Sequence, residues 1–237
     1  LVRVAEEAAK ATARIAYTPA TRAYLRRRGW RTMRRLGEAG DPAYVAHAEA
    51  ILLTLDDAEI QRAAAGRATA ERPRASRQAM PDGRLPAFAD RYAAHHILHG
   101  RQEQFTVSTT TLRWRRADRP AGDGDASQAP FPELWAARPE ALWRLVTTGK
   151  AALVRAFAAR EVRANTAFLD TVPTAGIAAL IAGWAPFAAR LDLGIWMAEQ
   201  RIAREGLQVE LALALIGEPR RGGPLVRLFI GARAQLL

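Results

Sequence analysis

The chain has 237 residues, a formal net charge of +11, 49% apolar residues and no cysteine. This length allows one large domain or two small ones, and the lack of cysteine excludes disulfide bonds, thiolate zinc sites and cysteine nucleophiles. Alanine supplies much of the apolar fraction, and because alanine has the highest helix propensity, the composition predicts a mostly helical chain.

The positive charge comes almost entirely from arginine, since only Lys10 and Lys150 are lysines among the 35 basic residues. A positive field attracts nucleic acid, anionic lipid or acidic proteins. An alternative interpretation is that abundant arginine and alanine reflect a GC-rich coding sequence. That bias does not account for the excess of basic over acidic residues, which therefore remains an indication of an anionic partner.

The sequence also bears on location. Charges interrupt residues 1–7, so they are not a signal peptide. The uncharged stretch 171–189 contains two prolines and two glycines, which favours a buried repeat helix followed by a loop over a membrane span. We expect a cytoplasmic protein, because a reducing compartment fits a chain without cysteine. The absence of an initial methionine also suggests a fragment or a processed product.

The first sixty residues contain sequence signals for the start and the end of helices. Thr18-Pro19 predicts an N-cap followed by proline at the first helical position, for a helix that runs to Leu36 and stops at Gly37. Asp41-Pro42 repeats the start signal, and apolar residues at three- and four-residue steps predict the next helix up to Leu55. With a further helix over 1–16, these elements form a predicted N-terminal helical segment over 1–61.

The middle of the chain is less regular. Residues 62–84 lack large aliphatic side chains and predict a basic linker. The segment 85–130 combines a helix over 88–99 with an insertion near 100–130. Because the run 105–115 is rich in β-forming residues, this insertion is predicted to be either irregular or a small β-hairpin.

The last hundred residues contain an internal repeat, with offsets of 35 and 37 residues between Val154-Arg155, Ala189-Arg190 and Val226-Arg227. The helix before each of these positions repeats with the same spacing. Leu142, Leu145 and Val146 align with Ile177, Leu180 and Ile181, which lie 35 residues later, and Ile216 lies 35 residues after Ile181. Helical hairpins that cannot bury their apolar faces alone build a continuous core by stacking. The pattern predicts an all-α fold, an α-solenoid of stacked helical hairpins over 131–237. We expect the array either to continue beyond Leu237 or to be covered there by a partner.

Three segments resemble one family. They are residues 18–37 (TPATRAYLRRRGWRTMRRLG), residues 129–135 (APFPELW) and the repeat start Val154-Arg155. They resemble large, mostly uncharacterised bacterial proteins that carry HEAT-like helical repeats, often alongside a WGR module. The resemblance covers roughly residues 15–60 and 85–205, and it implies a HEAT-like solenoid. The WGR module is associated with nucleic acid, but this chain has the order Gly29-Trp30-Arg31.

The helix predicted to start at Pro19 carries the candidate contact site. On a helical wheel, one side holds Ala23, Leu25, Trp30, Met33 and Leu36, and the opposite side holds Tyr24, Arg27, Arg28, Arg31, Arg34 and Arg35. Like charges on neighbouring helical turns repel by about 0.2–0.5 kcal/mol per pair. This face is therefore suited to phosphate or an acidic partner, with Tyr24 available for stacking. The alternative is a solvated face, or pairing with Glu38, Asp41, Glu49, Asp56 or Asp57.

Two other clusters contain residue types that bind metals. His95 and His99 have a spacing that can bind zinc if further ligands arrive, and Glu103 lies one turn on. The alternative is that these histidines complement the helix dipole or pack locally. Asp123-Gly124-Asp125 lacks the downstream ligands of a calcium loop. We predict no metal and no cofactor.

The sequence has no phosphate-binding glycine-rich loop, nucleophile elbow or evident acid/base pair. We therefore predict no catalytic residue and no small-molecule substrate. The six tryptophans are predicted to be core anchors. The predicted function is a non-enzymatic scaffold or adaptor that binds a macromolecular partner, either a protein or further repeats of a longer chain. The alternatives are sequence-independent nucleic-acid binding through the arginine face, and an enzyme of unrecognised type, which would require a deep pocket.

Overall fold

A computed structural model describes most of the chain, namely residues 18–58, 91–100, 105–107, 114–116, 127, 129–183 and 188–218. The described residues are mostly helical, as the composition predicts. Several predicted features lie outside them: the helix over 1–16, the basic linker over 62–84, Glu103, the Asp123–Asp125 loop and the repeat start Val226-Arg227.

The described residues belong to two compact units. The first unit holds residues 18–51, 91–100, 105–107, 114–116 and 129–134. The second unit holds residues 52–58, 127, 135–183 and 188–218.

The first unit opens with α1 (Pro19–Glu38). The predicted start is confirmed, because Thr18 Oγ1 accepts a hydrogen bond from the Thr21 amide at 3.2 Å. The predicted stop at Gly37 is wrong: the helix continues to Glu38, and at this end of the helix the glycine with a positive φ, +69°, is Gly40. Gly37 lies inside the helix, where the Phe131 ring occupies the space that a Cβ would need. Close packing therefore accounts for glycine at position 37.

The next helix, α2 (Ala43–Leu53), ends two residues before the predicted Leu55. Asp41 Oδ1 accepts a hydrogen bond from the Ala43 amide at 2.8 Å, in keeping with the predicted start signal. Tyr44 is buried and meets the edge of Phe131, with ring centroids 5.0 Å apart. Phe131 itself has a φ of +56°, a conformation that is uncommon for a bulky residue.

Helix α3 (Tyr92–His99) packs against α1. Two short strands, β1 (Phe105–Val107) and β2 (Trp114–Arg116), then pair antiparallel with Phe105 opposite Arg116. These strands lie within the segment near 100–130 for which the sequence predicts an insertion.

The second unit is built from short helices that follow α4 (Pro132–Ala136). They are α5 (Pro139–Thr148), α6 (Ala152–Ala164), a 3₁₀-helix (Thr166–Thr171), α7 (Thr174–Ala182), α8 (Ala188–Glu205) and α9 (Val209–Ile216). Helix α5 packs on α6, and α7 packs on both α8 and α9. Helix α8 also packs on α6 and α5. Helices α5, α7 and α9 begin at Pro139, Thr174 and Val209, which are 35 residues apart.

The aligned apolar residues of the repeat form the core of this unit. As predicted from their spacing, Leu142, Leu145, Val146, Ile177, Leu180 and Ile181 are all buried. The alignment is wrong about Ile216, which is 59% exposed. In α9 the buried residues are Leu211 and Leu215, and among the described residues no helix covers the side of α9 that carries Ile216.

No helix in the described ranges is both long enough and apolar enough to cross a membrane. The uncharged stretch 171–189 contains α7, which has nine residues and buries Ile177, Leu180 and Ile181. A short buried helix is what the prolines and glycines of this stretch predict.

Candidate functional site

The candidate contact site lies on α1 in the first unit. Tyr24, Arg27, Arg28, Arg31, Arg34 and Arg35 are all exposed, whereas Trp30 and Met33 are buried. The wheel is wrong about Leu25, which is 54% exposed. The reason is that every residue from 24 to 29 is exposed, so the packing of α1 begins only at Trp30. A helical wheel assumes that a helix is covered along its whole length, and α1 is not.

The charge on α1 is nearly all of one sign, since the helix holds seven arginines and a single acidic residue, Glu38. Arg34 Nε lies 3.2 Å from Glu38 Oε1, but both side chains are more than half exposed, and such pairs contribute little to stability. Arg28 donates a hydrogen bond to the Tyr24 hydroxyl at 3.1 Å. Within the described part of the chain, Arg27, Arg31 and Arg35 form no ion pair. The face therefore presents guanidinium groups that are not neutralised.

The acidic residues considered as partners for this face are mostly used elsewhere. Glu38 does form such a pair. Asp41 and Asp56 each accept a hydrogen bond from a backbone amide two residues on. Asp57 accepts one from the Ala152 amide at the start of α6, and it lies 3.9 Å from Arg155. Glu49 is buried. Intramolecular pairing thus accounts for only part of the arginine face.

Arginine has a different role in the second unit, where it satisfies backbone carbonyls. Arg155 is buried and donates to the Gly149 carbonyl at 2.8 Å. Arg190, at the equivalent repeat position, donates to the Val146 carbonyl at 2.8 Å and to that of Thr147. Burial lowers the pKa of both guanidinium groups. Two arginines of the repeat pattern thus donate hydrogen bonds to the backbone carbonyls at the C-terminal end of α5.

Arg201 on α8 has a similar role. It is buried, and it donates to the Leu169 and Val172 carbonyls at 2.6 and 2.8 Å, at the end of the 3₁₀-helix. The sequence did not indicate the bonds of Arg190 and Arg201, because their acceptors lie 29 to 44 residues away in the chain. Part of the basic excess is therefore structural, while the arginines on the α1 face are not used in this way.

The histidines of α3 pack locally. His95 and His99 are buried, with ring centroids 5.3 Å apart. His96 stacks on Trp30 at 4.2 Å and meets Tyr92 edge-on. Burial, the neighbouring His95 and then Arg34 lower the pKa of His96 from 6.5 to about 4. His96 is therefore neutral at neutral pH and acts as a packing ring, not as a cation at the helix end. In the described residues, no three acidic, histidine or cysteine side chains converge as metal ligands would.

Two of the four tryptophans whose side chains the structure describes are core residues, as predicted. Trp30 and Trp135 are buried, and Trp143 and Trp196 are half-buried. The side chains of Trp114 and Trp184 lie outside the described residues. Trp135 packs edge-on against Phe157, with ring centroids 5.5 Å apart.

One surface was missed by sequence reasoning. Val209, Leu213 and Ile216 on α9 are 74%, 66% and 59% exposed, and their spacing places them on one side of the helix. We call these three residues the apolar stripe. The spacing of these apolar residues, four and three positions apart, indicates one apolar side of a helix, but the repeat alignment assigned Ile216 to the core.

No family model, curated protein or solved structure matches this chain. The resemblance to HEAT-like repeat proteins therefore stays a prediction from the residues that carry it.

Proposed function

We propose that this protein is a non-enzymatic, HEAT-like helical-repeat scaffold that binds a protein partner. The observation that carries the proposal is the 35-residue spacing of α5, α7 and α9, together with the packing of α7 on α9. In a solenoid each repeat contacts only its neighbours, so its outer surfaces and its end remain free for contact. We further propose a cytoplasmic location and no cofactor, on the composition of the chain.

The apolar stripe on α9 is the proposed contact for the partner. In the first repeat, the ring of Trp143 on α5 lies 3.7 Å from the point where a Cβ would stand on Gly176 of α7. Leu213 follows Trp143 by two repeats of 35 residues. Leu213 is therefore equivalent to Trp143, which packs against a glycine on the helix of the next repeat. We accordingly expect the partner to contribute a short helix that has a small residue opposite Leu213.

The size of the stripe helps to select the occupant. Standard stable interfaces use roughly 20–30 residues a side, so three exposed side chains do not by themselves support a dimer of this chain. Apolar anchors three and four positions apart suit a single amphipathic helix. We therefore propose a helix of a protein partner as the occupant of the stripe.

The buried polar groups of the second unit are consistent with a role without catalysis. Arg155, Arg190 and Arg201 bind backbone carbonyls, and the buried carboxylate of Glu161 accepts a hydrogen bond from Ser127 at 2.5 Å. Groups held in this way maintain helix ends and loops.

The proposal is tested by affinity capture from nuclease-treated native lysate. We expect the wild-type chain to retain a protein that Leu213→Arg loses, because a charge in the stripe opposes apolar contact. Gln200→Arg is the matched control, since it adds the same charge at an exposed position of α8. The retained protein is then purified, and its affinity for the wild-type chain and for the two variants is measured. Equal binding to Leu213→Arg, or no retained protein after nuclease treatment, contradicts the proposal.

A further inference from the structure

We infer that the arginine face of α1, formed by Arg27, Arg28, Arg31, Arg34 and Arg35, binds the sugar–phosphate backbone of nucleic acid without reading its sequence. This activity goes beyond the proposed scaffold role, because the face belongs to the first unit and the apolar stripe belongs to the second.

The length of the face matches the spacing of phosphates. A helix rises about 1.5 Å per residue, so Arg27 and Arg35 are about 12 Å apart along the axis of α1. One strand of duplex DNA carries a phosphate about every 3.4 Å of its axis. The five guanidinium groups therefore lie over a length that holds three to four phosphates of one strand, flanked by those of the other.

The state of the side chains also favours this partner. All five arginines are exposed, and in the described residues Arg27, Arg31 and Arg35 form no ion pair. The Tyr24 hydroxyl accepts a hydrogen bond from Arg28, and this bond restricts the Arg28 side chain on the face. A planar guanidinium binds phosphate through two parallel hydrogen bonds and keeps its charge at any physiological pH.

A membrane surface is a poorer fit to α1. Helices that lie on membranes insert an apolar side beside their basic side. Opposite the arginines, Trp30 and Met33 are buried and Leu36 is partly buried. Leu25 is the one large apolar residue on that side of α1 that is exposed, and a single leucine does not form an apolar side for insertion. A face whose charge is nearly all positive suits a uniformly negative polymer, so nucleic acid is the partner that the face supports.

The inference is tested with the purified full chain by fluorescence anisotropy. The probes are a labelled duplex DNA and a single-stranded RNA, each of mixed sequence and about 20 nucleotides long, titrated between about 50 and 200 mM salt. The face variant is Arg27→Gln, Arg31→Gln and Arg35→Gln together. The control is Arg138→Gln, Arg144→Gln and Arg204→Gln, which removes the same charge from exposed positions of the second unit. Circular dichroism checks that each variant is folded.

The wild-type chain is expected to bind both probes, with an affinity that falls steeply as salt rises. The face variant is expected to lower the slope of log K against log salt by about 2 to 3 on duplex DNA, and the affinity at least about tenfold, while the control keeps its slope within about 1. No binding by the wild-type chain at low salt overturns the inference, as does an equal loss in the control. Tighter binding to vesicles of anionic phospholipid than to either probe assigns the face to membranes instead. A partner that is captured after nuclease treatment leaves the scaffold proposal standing in each of these cases.

Discussion

The imidazole of His96 on α3 lies parallel to the indole of Trp30 on α1, with ring centroids 4.2 Å apart and an angle of 5° between the planes. This stack joins the two helices at the point where the packing of α1 begins. It lies beside the arginine face, because Arg34 is close enough to contribute to the low pKa of His96. The same contact that holds α1 in place therefore makes the first unit sensitive to acid.

We predict that the first unit loses stability as the pH falls from 6.5 towards 4. The folded form protonates His96 only near pH 4, whereas the unfolded chain does so near its ordinary value of 6.5. The unfolded chain therefore holds more protons in this window, and the free energy of unfolding falls by up to about 3 kcal/mol across it. Chemical denaturation of the wild-type chain and His96→Phe at several pH values measures this, since phenylalanine keeps an aromatic ring but binds no proton. A constant difference between the two proteins over this range would show that His96 is not responsible.

Two glycines of α1 are predicted to respond in opposite ways to alanine. A Cβ at Gly29 meets no atom within 4 Å, while a Cβ at Gly37 overlaps the Phe131 ring. Gly29→Ala is expected to stabilise the protein by up to about 1 kcal/mol through helix propensity. Gly37→Ala is expected to destabilise it by about 1–3 kcal/mol, because overpacking outweighs that gain. Thermal unfolding of the two variants decides the matter, and a stabilised Gly37→Ala would mean that the ring yields freely.

The repeat arginine on α8 is predicted to matter for stability. Arg190→Met keeps the length of the side chain but removes its donors to the carbonyls of Val146 and Thr147. Since hydrogen bonds from charged groups contribute about 1.5–3 kcal/mol, we expect a loss of that order in the free energy of unfolding. The control, Arg204→Met, breaks a pair with Asp170 in which both side chains are about half exposed, and should cost about 1 kcal/mol or less. Similar losses in urea denaturation of the two variants would argue against a capping role for Arg190.

Two leucines of the repeat helices test the difference between core and stripe. Leu180 on α7 is buried, and Leu180→Ala should cost about 2–5 kcal/mol through the cavity that it leaves. Leu213 on α9 is 66% exposed, so Leu213→Ala should change stability by about 0.5 kcal/mol or less. Urea denaturation of both variants gives the comparison. A large loss for Leu213→Ala would indicate that the stripe is covered within the chain and is not free for a partner.

Local signals in the sequence predicted the local structure well. Thr18-Pro19 placed the start of α1 because a cap and its helix involve only four neighbouring residues. The repeat spacing indicated the core positions Leu142 to Ile181, since equivalent helices bury equivalent sides. The exposure of the five arginines also followed from the wheel, because charged side chains avoid burial without partners.

The sequence predictions that proved wrong concern positions whose structure depends on contacts between distant residues. Gly37 matches the glycine signal for a helix C-terminus. Its lack of a Cβ instead makes room for the ring of Phe131, a residue far along the chain. Leu25 has the form of a core residue, but the packing of α1 starts at Trp30. Ile216 follows the repeat and is nevertheless exposed, since burial depends on whether another helix lies there.

By itself, the sequence determined the mostly helical character of the chain, the start of α1, the arginine face and the core positions of the repeat. These depend on propensity, capping and periodicity, which act over a few residues. The tertiary structure alone decided that Arg190 and Arg201 bind backbone carbonyls, that His96 stacks on Trp30, and that α9 presents an apolar stripe. Each of these depends on the distance between segments that are far apart in the chain, and that distance is set by packing.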